Sequence, residues 1–424
     1  MSNHPHASRF FNASCMALIV TSMSFAIRAE IMSDQSLEFS LSGEEIGWVT
    51  SAAFWGFTLS MVIGGPLCDV VGMGRLAAVA FLGHVGGILV TIFAQGFWSL
   101  TAGTLLIGIG NGFVEAACNP LIATLYPDEK TKKLNQFHVW FPGGIVIGGL
   151  LAYALDGAGF GWQIKTATML VPAAIYGAML FGMKFPRTER VESGVSNSAM
   201  FAETIRPLFL FMAFCMLLTA ATELGTNQWI GVLLENVGVP AILILVWING
   251  LMAVGRQFAG PVVHRLAPAG MLLASSVFAV IGLYWLSYAS GYTAYAAAAV
   301  FAVGICYFWP TMLGFVAEYV PKSGALGLAV MGGVGNMAAS ISQPILGRLY
   351  DSQLEQALPA GSTVEALRSA AAGTPQAQQW IEVTLAAGSG SLRSVVILPA
   401  ILVVAFGALY VSQRGKEPER LEAA

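Results

Sequence analysis

Glu115 and Asn119 stand one helical turn apart inside a long apolar run, with Pro120 directly after them. An ionisable group in such a run is costly and faces a cavity or a partner. A carboxyl removed from water titrates nearer neutrality, where it can gain and lose a proton. The proline frees a backbone carbonyl, which can line a cavity. The pair therefore reads as a proton-exchange site, with a permanent structural pairing as the plain alternative. His138, beside Trp140 and Pro142, is a second candidate for a proton path, since an imidazole titrates near neutral pH. Glu30 is a third. Glu223, Asn227, Gln228 and Trp229 give a carboxylate, two amides and an indole within seven residues. The polar members can bond hydroxyls, and an aromatic face packs on the C–H side of a sugar ring. Arg28, Asn249 and Arg256 are further cavity candidates, with Tyr307 and Trp309 before Pro310, and with Asn336 and Gln343 seven apart on one face. For each, interhelical packing or a structural ion pair is the competing reading.

These residues need a scaffold that holds them in lipid. The chain has 424 residues, of which 56% are hydrophobic and 10% charged. A soluble domain carries about 25% charged residues, so this chain lacks the polar groups to cover its apolar surface. Apolar runs of about 20 residues mark spans. Twelve are expected: 10–32, 44–68, 75–96, 98–126, 134–156 and 163–185, then 205–235, 240–264, 269–290, 293–320, 323–350 and 392–413. The stretch from Cys15 to Ile27 resembles a signal-peptide core, but removing it would leave one half a span short. Loops on one side carry fourteen Lys and Arg, among them Arg75, Lys130, Lys184 and Arg265. The other side carries four: Lys165, Arg348, Arg368 and Arg393. The positive-inside rule then puts both termini in the cytoplasm. The Ala/Gln/Ser-rich stretch 351–391 is expected outside, partly helical or mobile, with no chemistry assigned to it. Five cysteines fall in apolar runs without a CxxC, which suggests neither disulfides nor zinc.

The chain repeats itself. Gly65-Pro66 and Gly260-Pro261 each end an apolar run and lie 195 residues apart, and Asp156 and Asp351 keep the same offset. A duplicated multi-span unit is a transporter architecture. The same shift carries Arg28 onto Glu223, so these opposite charges are candidates for a pair between the halves. Arg28 and Glu30, two apart on a helix, are not expected to pair. The fold class is thus an all-α membrane protein of twelve helices in two pseudo-symmetric six-helix bundles. The N-terminal bundle is expected over 1–185, the central cytoplasmic loop over 186–204, and the C-terminal bundle over 205–424.

Gly65-Pro66-Leu67-Cys68-Asp69-Val70-Val71-Gly72-Met73-Gly74-Arg75 resembles the loop signature of the major facilitator superfamily, G-x-L-x-D-x-x-G-x-x-R/K. Gly65, Asp69, Gly72 and Arg75 fit it as a cytoplasmic latch, although Val70 replaces the usual basic residue. Residues 108–120, with Glu115, Asn119 and Pro120, followed by Leu134-Asn135, are similar to the fucose–galactose–glucose:proton symporter branch. The Gly-to-Glu spacing is stretched, and Phe141 stands where the fucose carriers have a substrate-facing Asn. The resemblance implies alternating access, protons exchanged at Glu30, Glu115 and His138, and a sugar or related polyol bound near Asn119, Asn135, Glu223, Asn227 and Trp229. No HExxH, P-loop, G-x-S-x-G or paired-cysteine motif is present. No enzyme activity, cofactor, metal or nucleic-acid partner is therefore expected, and nothing demands more than a monomer. One rival keeps the fold and carries an organic anion or sugar acid on Arg28, Arg256 and His138. A rival of another class is a non-transporting membrane sensor or scaffold.

Overall fold

The computed structural model describes residues 5–126, 133, 136–186, 202–257, 259–320 and 323–413. The described residues form helices and connecting turns. The first six expected spans correspond to α1 (Ala7–Glu38), α2 (Gly43–Val71), α3 (Met73–Ile92), α4 (Phe97–Leu125), α5 (Trp140–Gly157), and the broken pair α6 (Trp162–Ala167) and α7 (Leu170–Leu180). After the 186–204 segment come α8 (Pro207–Ala220), a π-helical turn (Ala221–Gly225), α9 (Thr226–Leu233) and α10 (Ala241–Gln257). Then follow α11 (Ala259–Leu286), α12 (Thr293–Ile305), α13 (Phe308–Tyr319), α14 (Gly324–Ala357), α15 (Val364–Arg368), α16 (Pro375–Val395) and α17 (Ile397–Gln413). Among the described residues nine helical stretches are long and apolar enough to cross a membrane, and Ala241–Arg256 is a shorter apolar helix. The remaining two of the twelve rods are the broken α6–α7 and the less apolar α14.

Local chemistry sets the breaks. Ser42 and Glu45 form a capping box that starts α2. Gly72, at φ 88, turns the chain from α2 into α3, a conformation suited to glycine. Arg75 donates to the Val71 carbonyl across this turn, at 3.4 Å. Gly65 and Asp69 lie on α2, but their surroundings fall outside the described residues. The turn expected between spans 8 and 9 is at Ala267, directly before Pro268 and inside the stretch α11 covers. Stretch 351–391 is largely helical: α14 runs on to Ala357, and α16 starts at Pro375, capped by Thr374. Its Ala and Gln content favours helix.

Among the described residues the main contacts between elements from either side of the 186–204 segment are α2 with α14, α5 with α10, and α1 with α9, with a smaller one between α1 and α10. The α2–α14 seam lies at the end that the charge count places outside. A Cβ at Gly47 would sit 2.6 Å from the Gln343 carbonyl oxygen, so only glycine admits this approach. Pro344 cannot donate to the Ser340 carbonyl four residues back. That carbonyl instead accepts from Ser51 Oγ, at 2.6 Å across the seam. At its mouth the Asp351 carboxylate accepts the Gly43 and Glu44 backbone N–H groups, each at 2.9 Å. Arg348 adds a forked pair to Glu44, at 2.6 and 3.2 Å.

Candidate solute and proton site

A cavity opens between α1 and α5 on one side and the α8–α9 rod and α10 on the other. Phe25, Phe141 and Pro142 supply apolar walls, and Glu223, Asn227, Gln228, Asn249 and Arg256 supply polar groups. The π turn holds Glu223 and introduces one residue into the helical register just before Asn227. Glu223 is 5% exposed and pairs with Arg256, Oε1 to Nη2, at 3.3 Å. Arg256 is aimed by a second bond. Pro310 cannot donate to the Cys306 carbonyl four residues earlier, and Arg256 Nε takes that carbonyl at 3.0 Å. The Glu223 Oε2 and Asn227 Oδ1 atoms are buried without a protein partner. Both are acceptors on residues that line the cavity, with the chemistry to take a hydroxyl donor.

The structure brings Glu115, Asn119 and His138 together. Asn119 Nδ2 donates to Glu115 Oε2 at 2.6 Å, and Asn119 Oδ1 lies 3.1 Å from His138 Nε2. The same imidazole nitrogen is 3.9 Å from Glu115 Oε2. Glu115 is buried, whereas the His138 side chain keeps 44% exposure. A buried carboxyl bonded to an amide that also meets a part-exposed imidazole is a chain of hydrogen-bonding groups leading from the interior toward water.

Arg28 and Glu223 do not pair, contrary to the expectation from the repeat. Glu223 is engaged by Arg256, and Arg28 Nε donates to Gln228 Oε1 at 2.7 Å. Gln228 Nε2 is fixed on the Phe25 carbonyl at 3.1 Å, which points its oxygen at the guanidinium. The guanidinium lies over the rings of Phe25 and Phe54, 5.1 and 5.6 Å from their centroids. Glu30 does not join Glu115. It belongs to a separate group in which buried Lys165 meets Asp156 at 2.6 Å, Asp34 at 3.6 Å and Glu30 at 3.9 Å.

Other expected residues stand apart from the cavity wall. Trp229 is fully buried, with its ring 6.2 Å from that of Tyr350. Tyr307 donates to the Gly255 carbonyl at 3.0 Å. Trp309 packs beside Gly335, where a Cβ would meet its ring at 2.6 Å. Asn336 donates to the Gly332 carbonyl at 3.1 Å, within its own helix. Asn249 does line the cavity, with its Nδ2 bonded to the Leu245 carbonyl at 2.9 Å. Asn135 lies outside the described residues. One buried network was missed in the sequence. His84 meets Tyr176 at 3.0 Å and Asn111 at 2.9 Å, and Asn111 donates to Ser24 at 3.2 Å. It ties α3, α7, α4 and α1 together. Its available signal was a histidine and an asparagine alone in apolar runs.

The family profile of the Major Facilitator Superfamily matches residues 8–352. The chain belongs to this superfamily. Membership in a superfamily of transporters places it outside the enzyme classes. Among solved structures, a bacterial homolog of the human lysosomal transporter Spinster, inward-facing and unoccupied, superposes with a TM-score of 0.79 at 14% identity. That likeness covers 99% of this chain and 100% of the other. The nucleoside transporter NupG superposes with a TM-score of 0.72 at 11% identity, over 96% and 99% of the two chains. These show the shared fold. By sequence, the chain is 28% identical to a D-xylose transporter of Levilactobacillus brevis over 165 residues. That match spans 38% of this facilitator and 36% of the relative, about a third of its length. It is 23% identical to a gentisate transporter of Corynebacterium glutamicum over 350 residues, 75% of this chain and 76% of the relative.

Proposed function

We propose that this protein is a proton-coupled secondary transporter that takes up a hydroxylated solute of the sugar or polyol class by alternating access. The observation that carries the solute reading is a pair of buried acceptors without a protein partner, Glu223 Oε2 and Asn227 Oδ1, on residues of one cavity wall. A buried unpaired acceptor costs stability unless something fills it, and a sugar hydroxyl does so. Phe25 and Phe141 supply ring faces for the C–H side of the same molecule. The proton step belongs to Glu115, Asn119 and His138. With the positive-inside rule the N-terminus is cytoplasmic and the α2–α14 seam faces outward, as a monomer in a bacterial inner membrane. The two halves then rock about the cavity.

A second reading, an organic anion, is favoured by buried Arg28 and by the long match to the gentisate transporter. The sensor or scaffold alternative predicts no solute movement at all, so the transport measurement separates it. The reading is tested with purified protein in weakly buffered proteoliposomes. Adding a transported sugar should make the outer medium alkaline, and Glu115→Gln should abolish that change. Sugar entry without any proton movement would overturn the coupling, and no sugar entry would overturn the solute class.

A further inference from the structure

We propose that Arg28 holds a carboxylate of the solute, so that the substrate is a hydroxylated organic acid of the hexuronate type and not a neutral sugar. This rests on the transporter reading above and narrows its solute. An arginine stays charged in a protein, and a buried charge without a counter-ion is costly. Arg28 is 7% exposed. Among the described residues, none of the acidic side chains comes within ion-pair distance of it, since Glu223 is held by Arg256 and Glu30 meets Lys165. The Phe25 and Phe54 rings and the Gln228 carbonyl supply partial compensation.

The guanidinium is used along its Nε edge only in part. Its Nη2 is buried without a partner, so a donor edge of the planar fork stays open. Phe25 and Gln228, which touch the guanidinium, also line the cavity. The Glu223–Arg256 pair is neutral as a unit. Arg28 does not itself line the cavity but lies behind Phe25 and Gln228, which do, so one positive charge without a carboxylate partner sits behind a wall that also carries two unpaired acceptors, Glu223 Oε2 and Asn227 Oδ1. A ligand that fills all three sites has one anionic acceptor group and at least two hydroxyls. A phosphate ester, with up to two negative charges, fits less well beside the free Glu223 oxygen.

Binding to the purified protein is to be measured by calorimetry for D-galacturonate, D-galactose, galactose 6-phosphate and 2,5-dihydroxybenzoate. D-Galacturonate should bind at least about tenfold more tightly than D-galactose. Arg28→Gln should erase that preference, and Arg28→Lys should keep part of it. The wild-type preference decides even if Arg28→Gln fails to fold. Galactose bound as well as galacturonate would overturn the carboxylate and leave the sugar reading standing. The aromatic acid bound without either sugar would support a carboxylate at Arg28 and overturn the sugar class. Preference for the phosphate ester would overturn the carboxylate assignment. Binding of none would overturn both.

Discussion

At the scale of single residues, two arginines differ in burial and in what surrounds them: Arg28 is buried, and the Arg256 side chain keeps 27% exposure. Arg256 has a carboxylate and a proline-freed carbonyl, whereas Arg28 has an amide and two ring faces. Removing one partner from a buried pair costs about 3–5 kcal/mol, because the other charge is left alone. Arg256→Gln should therefore lower the thermal stability of the purified protein markedly, and adding Glu223→Gln should restore much of it. A double mutant no more stable than the single would show that the two side chains are not coupled. The Glu115–Asn119 spacing was legible because one helical turn separates the two residues. The Arg28–Gln228 bond was not, since it joins residues 200 apart, and the repeat offset favoured Glu223 over its neighbour.

At the scale of elements, the α2–α14 seam holds one end shut through glycine contact and helix capping. Asp351 plays the larger part. Loss of a capping side chain costs about 0.5–2 kcal/mol, whereas the solvent-exposed Glu44–Arg348 pair adds little. Burial pushes the Asp351 carboxyl above its ordinary value of 3.8, and the N–H groups of Glu44 and Gly43 pull it partly back. A carboxyl with a raised pKa in the closed seam binds protons more tightly there than in an opened, solvated one. Its contribution to closure is then fully present below 3.8 and is lost as pH rises through the raised value. Spin labels across the seam should report more closure as the pH on that side falls through that window, and Asp351→Ala should remove the dependence. An unchanged dependence in the variant would assign it to other groups.

Gly47→Leu should prevent closure outright, since a Cβ there already meets the Gln343 carbonyl and the Pro344 backbone. Solute exchange from the α2–α14 end would then persist while translocation stops. Normal translocation in that variant would show that the seam is not a required step. The prolines were visible in the sequence, but the hydroxyl or guanidinium that claims each freed carbonyl was not. Ser51 and Arg256 are distant in the chain from Ser340 and Cys306, and only packing brings them together.

At the scale of the whole molecule, the repeat shaped the architecture more than the chemistry. Offset 195 pairs Asp156 with Asp351, yet Asp156 holds Lys165 and Asp351 caps α2. Apolar run length and loop charge are summed over many residues, so the twelve rods survive small errors at any one position. Side-chain partners depend on the rotation of each rod by less than one turn. The π turn at Ala221–Gly225 alters that rotation directly before Asn227, with no composition signal beyond Gly225. If Glu115, Asn119 and His138 couple protons to solute, one experiment reads it most directly. Labelled galactose and galacturonate are followed into proteoliposomes under an inward proton gradient, with wild type beside Glu115→Gln. Coupling predicts accumulation above equilibrium in wild type only, with solute exchange at equal pH retained in Glu115→Gln. Equal accumulation in the two proteins would contradict it.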